Sequence, residues 1–487
     1  MFCYQETGLL QDAPSTLTSE LDKIAPRFEI DGSQVHIIES PTEFYLTLKS
    51  KIQNAERRIF LSTLYIGRTE HELIFLLQQA LRRQPKLRLN ILTDALRGTR
   101  ESPESSCASL LAPLVAEFGS ERVDIRLYHT PNLTGFRKHY IPQRINEGWG
   151  LQHMKLYGID DDIIISGANL SHDYFTNRQD RYHLFSSSAI TEYFWNIQHA
   201  VSTLSFVLSP DAQGEAGYVL TWPASNTAPS PLLDPTNYIK HATALLEPII
   251  KAPPKVTSLK TNTSVYPLSQ LTQLLMPNTS TELPAIKTIL KTLSFAAMTD
   301  SAWTFTAGYF NPDPSLTQLL VNAKSLHGTV VTASPRANGF YGSTGVSGML
   351  PSAYTLYSRR FLERIHEAGR GNAIILKEWQ KGTTGEPGGW TYHAKGLWIT
   401  MPKGMGPSLT LIGSSNYTKR SYSLDLEANA LIVTQDEDLQ RRLGKEQNML
   451  QNSATVVGLD DLAKIDRRVS LRVRIAIWIV GILGGAL

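Results

Sequence analysis

His153-Met154-Lys155-Leu156-Tyr157-Gly158-Ile159-Asp160, followed by Gly167-Ala168-Asn169-Leu170-Ser171, decides how this chain is organised, because the pattern returns. His393-Ala394-Lys395 leads in the same way to Gly413-Ser414-Ser415-Asn416-Tyr417-Thr418. In both copies a hydroxyl residue follows the asparagine by two positions, Ser171 and Thr418. In both an acid follows it by eleven, Asp180 and Glu427. A lone His-x-Lys arises by chance. Two with the same downstream pattern point to a duplicated unit.

The repeat extends upstream. An apolar, strand-like run ends at Tyr65-Ile66-Gly67, and another, Thr304 to Tyr309, ends at the corresponding distance before His393. Next come Leu87 to Thr93 with Asp94-Ala95-Leu96-Arg97-Gly98, and Thr329 to Ala333 with Ser334-Pro335-Arg336-Ala337-Asn338-Gly339. Alternation such as Val123-Asp124-Ile125-Arg126-Leu127 reads as a half-buried strand. Helical patterns lie between, at 72–83 and 353–368. Strands and helices alternating at this spacing predict an α/β layered fold in each half. Five prolines from Pro210 to Pro235, and an irregular stretch at 252–267, read as the connection. The expected division is an N-terminal extension (1–34), a first half (35–209), a proline-rich connection (210–267), a second half (268–455) and a tail (456–487). The site should lie between the halves, each giving one histidine.

The residue types suit chemistry at phosphorus. A neutral imidazole is a nucleophile near pH 7, and a second can move protons at the leaving and entering oxygens. Lys155 and Lys395 lie two residues from the histidines, on the same side of an extended strand, and can face non-bridging phosphate oxygens. Asn169 and Asn416 can donate to the same oxygens. Asp180 and Glu427 are placed to fix the imidazole tautomers. No metal or other cofactor is needed. His172 and His183 have no counterpart in the second copy and are read as peripheral.

Composition narrows the classes. The 487 residues are 42% hydrophobic and 19% charged, against disorder and against a polytopic membrane protein. The balance of 47 Lys+Arg and 44 Asp+Glu gives +3, no argument for nucleic acid. Two cysteines exclude a disulfide scaffold or a cysteine-built zinc site. The first thirty residues carry no secretory apolar core and are too acidic for a transit peptide. At the other end Arg467, Arg468, Arg472 and Arg474 precede an apolar run, 475–487. It is too short to cross a bilayer, which takes about 20 residues. It can lie in an anionic membrane surface or dock on the body of the protein.

His153, Lys155 and Asp160 match the His-x-Lys-x4-Asp motif of the phospholipase D superfamily, which this chain resembles. The second copy has Thr400 at the Asp position, and six more residues between Lys395 and Gly413. Asp160 therefore has either a part in the chemistry or a part in bracing the turn after its strand. Three strings carry a closer resemblance, to the eukaryotic mitochondrial phosphatidylglycerophosphate synthases. They are Gly167 to Ser171 running into Tyr174 to Tyr182, Ala333-Ser334-Pro335 with Asn338-Gly339-Phe340, and His393 to Trp398. The resemblance covers about residues 40 to 450. It implies two homologous phospholipase D-like α/β/α halves packed as a pseudo-dimer with one shared active site. It implies transfer of a phosphatidyl group from CDP-diacylglycerol to glycerol 3-phosphate, with release of CMP and a phosphatidyl-histidine intermediate. The setting implied is the matrix side of the inner mitochondrial membrane, in the route to cardiolipin; homo-oligomerisation is left open.

The expected catalytic set is His153, Lys155, Asp160, Asn169, Asp180, His393, Lys395, Asn416 and Glu427, with His153 as nucleophile. The expected substrate-binding set is Arg178, Ser171, Thr418, Arg336 and Arg97, with Arg137 and Lys138 read as meeting lipid headgroups instead. A phospholipase D-type hydrolase or nuclease, a sister transferase with another alcohol acceptor, and an inactive lipid-binding scaffold are the competing readings.

Overall fold

The apolar runs become two nine-stranded mixed sheets in a computed structural model that describes residues 16–141, 146–251 and 261–482. In the first sheet Val123–Tyr128, Arg88–Asp94 and Arg58–Ser62 run parallel. Leu156–Ile159, Asp162–Ser166, Tyr182–Ser186 and Val35–Ile38 then continue it antiparallel. In the second sheet Ile374–Trp379, His327–Ala333 and Ala302–Ala307 are the parallel trio. Lys395–Thr400, Leu409–Gly413, Glu427–Thr434 and Thr263–Gln270 follow, again antiparallel. The orders of these seven strands correspond one to one, so the repeat seen in the motifs extends through seven strands of each sheet.

Parallel strands need crossover connections, and helices such as His71–Arg83, Cys107–Phe118 and Pro314–Asn322 supply them. Each half has its own outer core. One further core is common to both and contains Leu92, Met154 and Leu156 of the first half with Trp398, Ile412 and Ala428 of the second. The halves are therefore packed face to face through a continuous apolar layer.

The expected boundaries shift. Phe28–Ile30, assigned to the N-terminal extension, is the edge strand of the second sheet, paired with Thr263–Val265. Leu17 and Leu21 of the helix over 16–22 are buried in the second half's core. The proline-rich connection is structured. Phe206–Pro210 and Tyr218–Thr221 form a hairpin on the edge of the first sheet. The helix Pro235–Ile250 buries Tyr238, Ala242, Leu246 and Ile250 in the shared core. Its Pro235 stands in the first turn, where the missing N–H is harmless. The second half begins at Thr263, because Pro267 is tolerated in a strand where the edge neighbour reaches only Val265. The tail is also anchored: Ala454–Val456 pairs with Lys377–Trp379, and the helix Leu471–Ile482 packs Val473 and Ile477 on Ala353 and Leu356. Within the extension, the connection and the tail, residues 1–15, 252–260 and 483–487 lie outside the described residues.

A buried ion network also crosses between the halves. Arg181 donates to both carboxylate oxygens of Glu446 at 2.9 and 2.8 Å, to Leu411 O at 2.7 Å and to Thr410 Oγ1 at 2.9 Å. Glu446 also accepts from Trp398 and pairs with His183. His183 thus belongs to the packing of the halves. Burial opposes ionisation of Glu446, but Arg181 and His183 hold its carboxyl well below the usual range. Removing one member of such a pair leaves a buried charge alone. Arg181→Met should lower unfolding free energy by about 3–5 kcal/mol in urea titration; an unchanged midpoint and slope would contradict the network's role.

Candidate active site

Each histidine stands just before a central strand of its own half, on backbone tied to the other half. His153 donates its N–H to Leu426 O at 2.9 Å, and His393 donates to Gln179 O at 2.8 Å. Gln152 bridges to Leu426, and Thr391–Tyr392 pairs in parallel with Arg178–Gln179. Leu426 and Gln179 each precede an acid. The consequence is an exchange: His153 Nδ1 donates to Glu427 of the second half, 2.9 Å from either oxygen, and His393 Nδ1 donates to Asp180 of the first half at 2.7 Å. Both carboxylates are buried. With Nδ1 engaged, Nε2 of His153 is the atom left for chemistry, whereas His393 Nε2 also lies 3.2 Å from Lys395 Nζ and 3.4 Å from Tyr174 Oη.

The lysines fold back along the same strands. Lys155 Nζ donates to His153 O at 2.7 Å, and Lys395 Nζ donates to His393 O at 2.9 Å and lies 3.7 Å from Asp180 Oδ2. Neither is exposed. Burial, with the neighbouring lysine second, pushes both imidazoles well below their ordinary value, so they are neutral at pH 7. Burial also pushes Lys155 down to about 7 and Lys395 down to about 8, and Glu427 up to about 7. Asp180 is raised by the same cause. An anion placed among these groups would favour the charged form of both lysines.

Asn169 is buried beside the cluster, its Nδ2 donating to Tyr174 Oη at 3.2 Å. Asn416 has a buried Oδ1 with no hydrogen-bond partner among the described residues. Arg178 Nη2 pairs with Asp173 at 2.9 Å, Nε donates to Thr391 Oγ1 at 3.0 Å, and the guanidinium lies over Tyr174, 4.6 Å from the ring centre. Tyr174 in turn meets His393 edge-on at 5.3 Å.

Other expected residues are placed elsewhere. Asp160 ends the strand whose other end follows His153, seven residues and on the order of 20 Å away. It sits at φ 53° and accepts from the N–H groups of Glu56, Arg57 and Arg58 at 2.8–3.0 Å. It braces a turn, which explains why Thr400 can stand in the second copy. Thr418 caps the helix Lys419–Ser423, accepting from Ser421 N, and Ser171 Oγ donates to Asp173 at 2.5 Å. Both hydroxyls serve local turns. Arg97 pairs with Glu101 and stacks on Tyr65, and Arg336 is exposed, so neither joins the histidine cluster.

Residues not expected do join it. Tyr309 meets the His393 ring edge-on at 5.3 Å. Arg420 pairs with Asp425 at 3.0 Å and donates to Glu147 O at 2.7 Å, and Leu151 N donates to Asp425 at 3.1 Å. These contacts fasten the segment that enters His153. Tyr309 closes the strand-like run seen in the sequence, but Arg420 and Asp425 carry no repeated signature. Among the described residues no three His, Cys, Asp or Glu side chains are grouped as metal ligands.

No family model matches the chain. It is 43% identical over 479 residues to the CDP-diacylglycerol–glycerol-3-phosphate 3-phosphatidyltransferase of Saccharomyces cerevisiae, covering 96% of this chain and 91% of that protein. The Schizosaccharomyces pombe enzyme of the same name is 38% identical, with 94% and 97% covered. The human mitochondrial one is 33% identical, with 93% and 83% covered. The crystal structure of a phosphatidylserine synthase from Haemophilus influenzae Rd KW20 superposes with a TM-score of 0.70 over 97% of both chains at 18% identity, a likeness of fold. Two matched sheets, one site built across them and relatives aligned over nearly their whole length lead to one conclusion: the chain belongs to the CDP-diacylglycerol–glycerol-3-phosphate 3-phosphatidyltransferase family.

Proposed function

We propose that this chain transfers the phosphatidyl group of CDP-diacylglycerol to the primary hydroxyl of glycerol 3-phosphate, giving phosphatidylglycerophosphate and CMP on the way to cardiolipin. The observation that carries the reading is the pair of neutral imidazoles, each held through Nδ1 by an acid of the opposite half. His153 Nε2 attacks the phosphorus bearing diacylglycerol. A P–N bond forms, the P–O bond to CMP breaks, and CMP leaves as the phosphate anion. His393 then takes the proton of the glycerol 3-phosphate hydroxyl, whose oxygen attacks phosphorus as the P–N bond breaks and frees His153, and His393 passes the proton to water before the next turnover. An alcohol is a poor nucleophile until its proton moves, so the base acts mainly in this second step, by roughly 10²–10⁴-fold. Lys155 and Lys395, with Asn169 and Asn416, hold the non-bridging oxygens.

Asp160, which distinguishes the motif around His153 from that around His393, lies apart from the cluster and does not bear on which imidazole attacks. Access supports the assignment instead: the His153 side chain is 12% exposed, while His393 is 6% exposed and walled by Tyr174 and Tyr309. The acceptor's own phosphate fits Arg178. A side chain on Gly339 would lie 3.0 Å from Tyr309 Oη and 3.1 Å from Arg178 Nη2, so glycine leaves these two donors room to converge.

The setting is peripheral, on the matrix side of the inner mitochondrial membrane. The tail helix packs one face on Leu350–Glu367 and leaves Leu471, Ile475 and Trp478 71%, 48% and 67% exposed, beside Arg472 and Arg474. Its twelve residues span roughly 18 Å, and no described helix is long and apolar enough to cross a membrane. Tyr354, on the helix beneath, stacks on Tyr309 against His393, which puts the apolar face one helix from the site.

Sustained, multiple-turnover CMP release should require glycerol 3-phosphate, with no more than about one CMP per chain released without it; equal sustained release without it would mean a hydrolase. Arg178→Ala should raise the KM for glycerol 3-phosphate by about 10- to 100-fold, the worth of one charged hydrogen bond. An equal rise for CDP-diacylglycerol would remove the acceptor role. The pH profile carries a sign. Deprotonation of Lys155 and Lys395 should lower kcat/KM as pH rises through about 7 to 8. Bound substrate anion holds the lysines protonated, so the same limb in kcat should sit at higher pH. Coincident limbs would contradict it. Deleting 471–487 should abolish flotation with cardiolipin-containing liposomes; unchanged flotation would rule out the tail as anchor.

A further inference from the structure

Two residues beyond Glu427, on the same face of its strand, stands Asn429. Its Nδ2 donates at 2.6 Å to Oε2 of Glu282, the first residue of the helix Glu282–Thr292. Glu282 is completely buried, and its Oε1 has no hydrogen-bond partner among the described residues. The Asn429 amide reaches on. Its Oδ1 accepts from Ser415 N at 3.4 Å, and a side chain on Gly413 would fall 2.1 Å from that oxygen. In the same turn Ser414 Oγ donates to Glu427 Oε2 at 2.5 Å and accepts from Ala428 N at 3.1 Å. A continuous set of contacts thus leads from Glu282 through Asn429 and the turn at 413–416 to Glu427, and so to His153.

The first half is built otherwise at this place. Two residues beyond Asp180 is Tyr182, stacked on Phe44 at 4.5 Å. The backing of that acid is aromatic, and hydrocarbon can be buried without losing hydrogen bonds to water. A carboxyl behind the other acid carries that penalty, and it stands where only an oxygen can hold the Asn429 amide.

We propose that Glu282 is a positioning residue for His153, orienting Asn429 so that the turn at 413–416 sets the Glu427 carboxylate against the imidazole. The inference rests on the phosphatidyl-transfer reading. Burial, and then the nearby Glu427 charge, push the Glu282 carboxyl up to about 8. At neutral pH it adds a hydrogen-bonding oxygen without a second negative charge. The titratable groups facing it from the turn and from the helix Lys419–Ser423 are Tyr417 and Tyr422, whose ionisation is opposed first by burial and then by Glu282.

Glu282→Met keeps the length and removes both oxygens. It should lower kcat for CMP release by about 10- to 100-fold, the scale of a small misplacement of a reacting group, with both KM values unchanged. Glu282→Gln should recover most of the rate, because its amide oxygen still accepts from Asn429. Asn429→Ala should lose a similar factor, and the double variant no more than Asn429→Ala alone. Wild-type kcat in a folded Glu282→Met, a Gln variant as slow as Met, or losses that multiply would overturn the inference. Where Glu282→Met does not fold, Asn429→Ala carries the test, and an unchanged kcat there overturns it. Multiple-turnover CMP release by the unsubstituted chain without acceptor would sink the transfer reading while leaving these ratios readable.

Discussion

The hydrogen bonds from His153 to Glu427 and from His393 to Asp180 tie the chemistry of this molecule to the packing of its halves. Neither half holds a complete site. Each offers an imidazole and a lysine on one strand and an acid for the other half's imidazole. Backbone bonds from His153 N to Leu426 O and from His393 N to Gln179 O set the same exchange before any side chain is placed. The shared apolar core and the Arg181–Glu446 pair then act as parts of the site, since a shift between the sheets would part both acid–imidazole pairs together.

Electrostatics follow from the same exchange. Two lysines and two acids buried together keep the local charge near balance, so the +3 of the whole chain says little about what the site attracts. Burial lowers the lysines toward neutrality and leaves the imidazoles neutral. A phosphodiester entering this pocket supplies the missing negative charge, restores the lysine charge and meets an imidazole nitrogen that is already unprotonated.

Much of this was legible in the sequence. The duplicated His-x-Lys with its asparagine, hydroxyl and acid at fixed spacing predicts two like halves and names the six residues that do converge. Spacing shows which acid belongs to the pattern but not which histidine it meets; only the packing of the halves decides that. Asp160 misleads for a related reason. A motif is read as one unit, yet a strand carries its two ends far apart. Ser171 and Thr418 mark the repeat because each begins a short helix: Thr418 caps Lys419–Ser423 through its hydroxyl, and Ser171 donates to Asp173 in the first turn of His172–Thr176. Phe28–Ile30 could not be assigned to the second sheet, because its partner lies some 235 residues away along the chain. Glu282 and Arg420 were invisible for the same reason, each acting through one long-range contact with no repeated counterpart.

The central claim is that a shared, crossed site forms a covalent intermediate on one particular imidazole. Incubating the chain with CDP-diacylglycerol labelled in the phosphatidyl phosphorus, without acceptor, quenching in alkali and mapping the modified peptide by mass spectrometry tests it directly. Label on His153, lost on adding glycerol 3-phosphate, is the expected result. Label on His393, or CMP release with no labelled histidine at all, would contradict it.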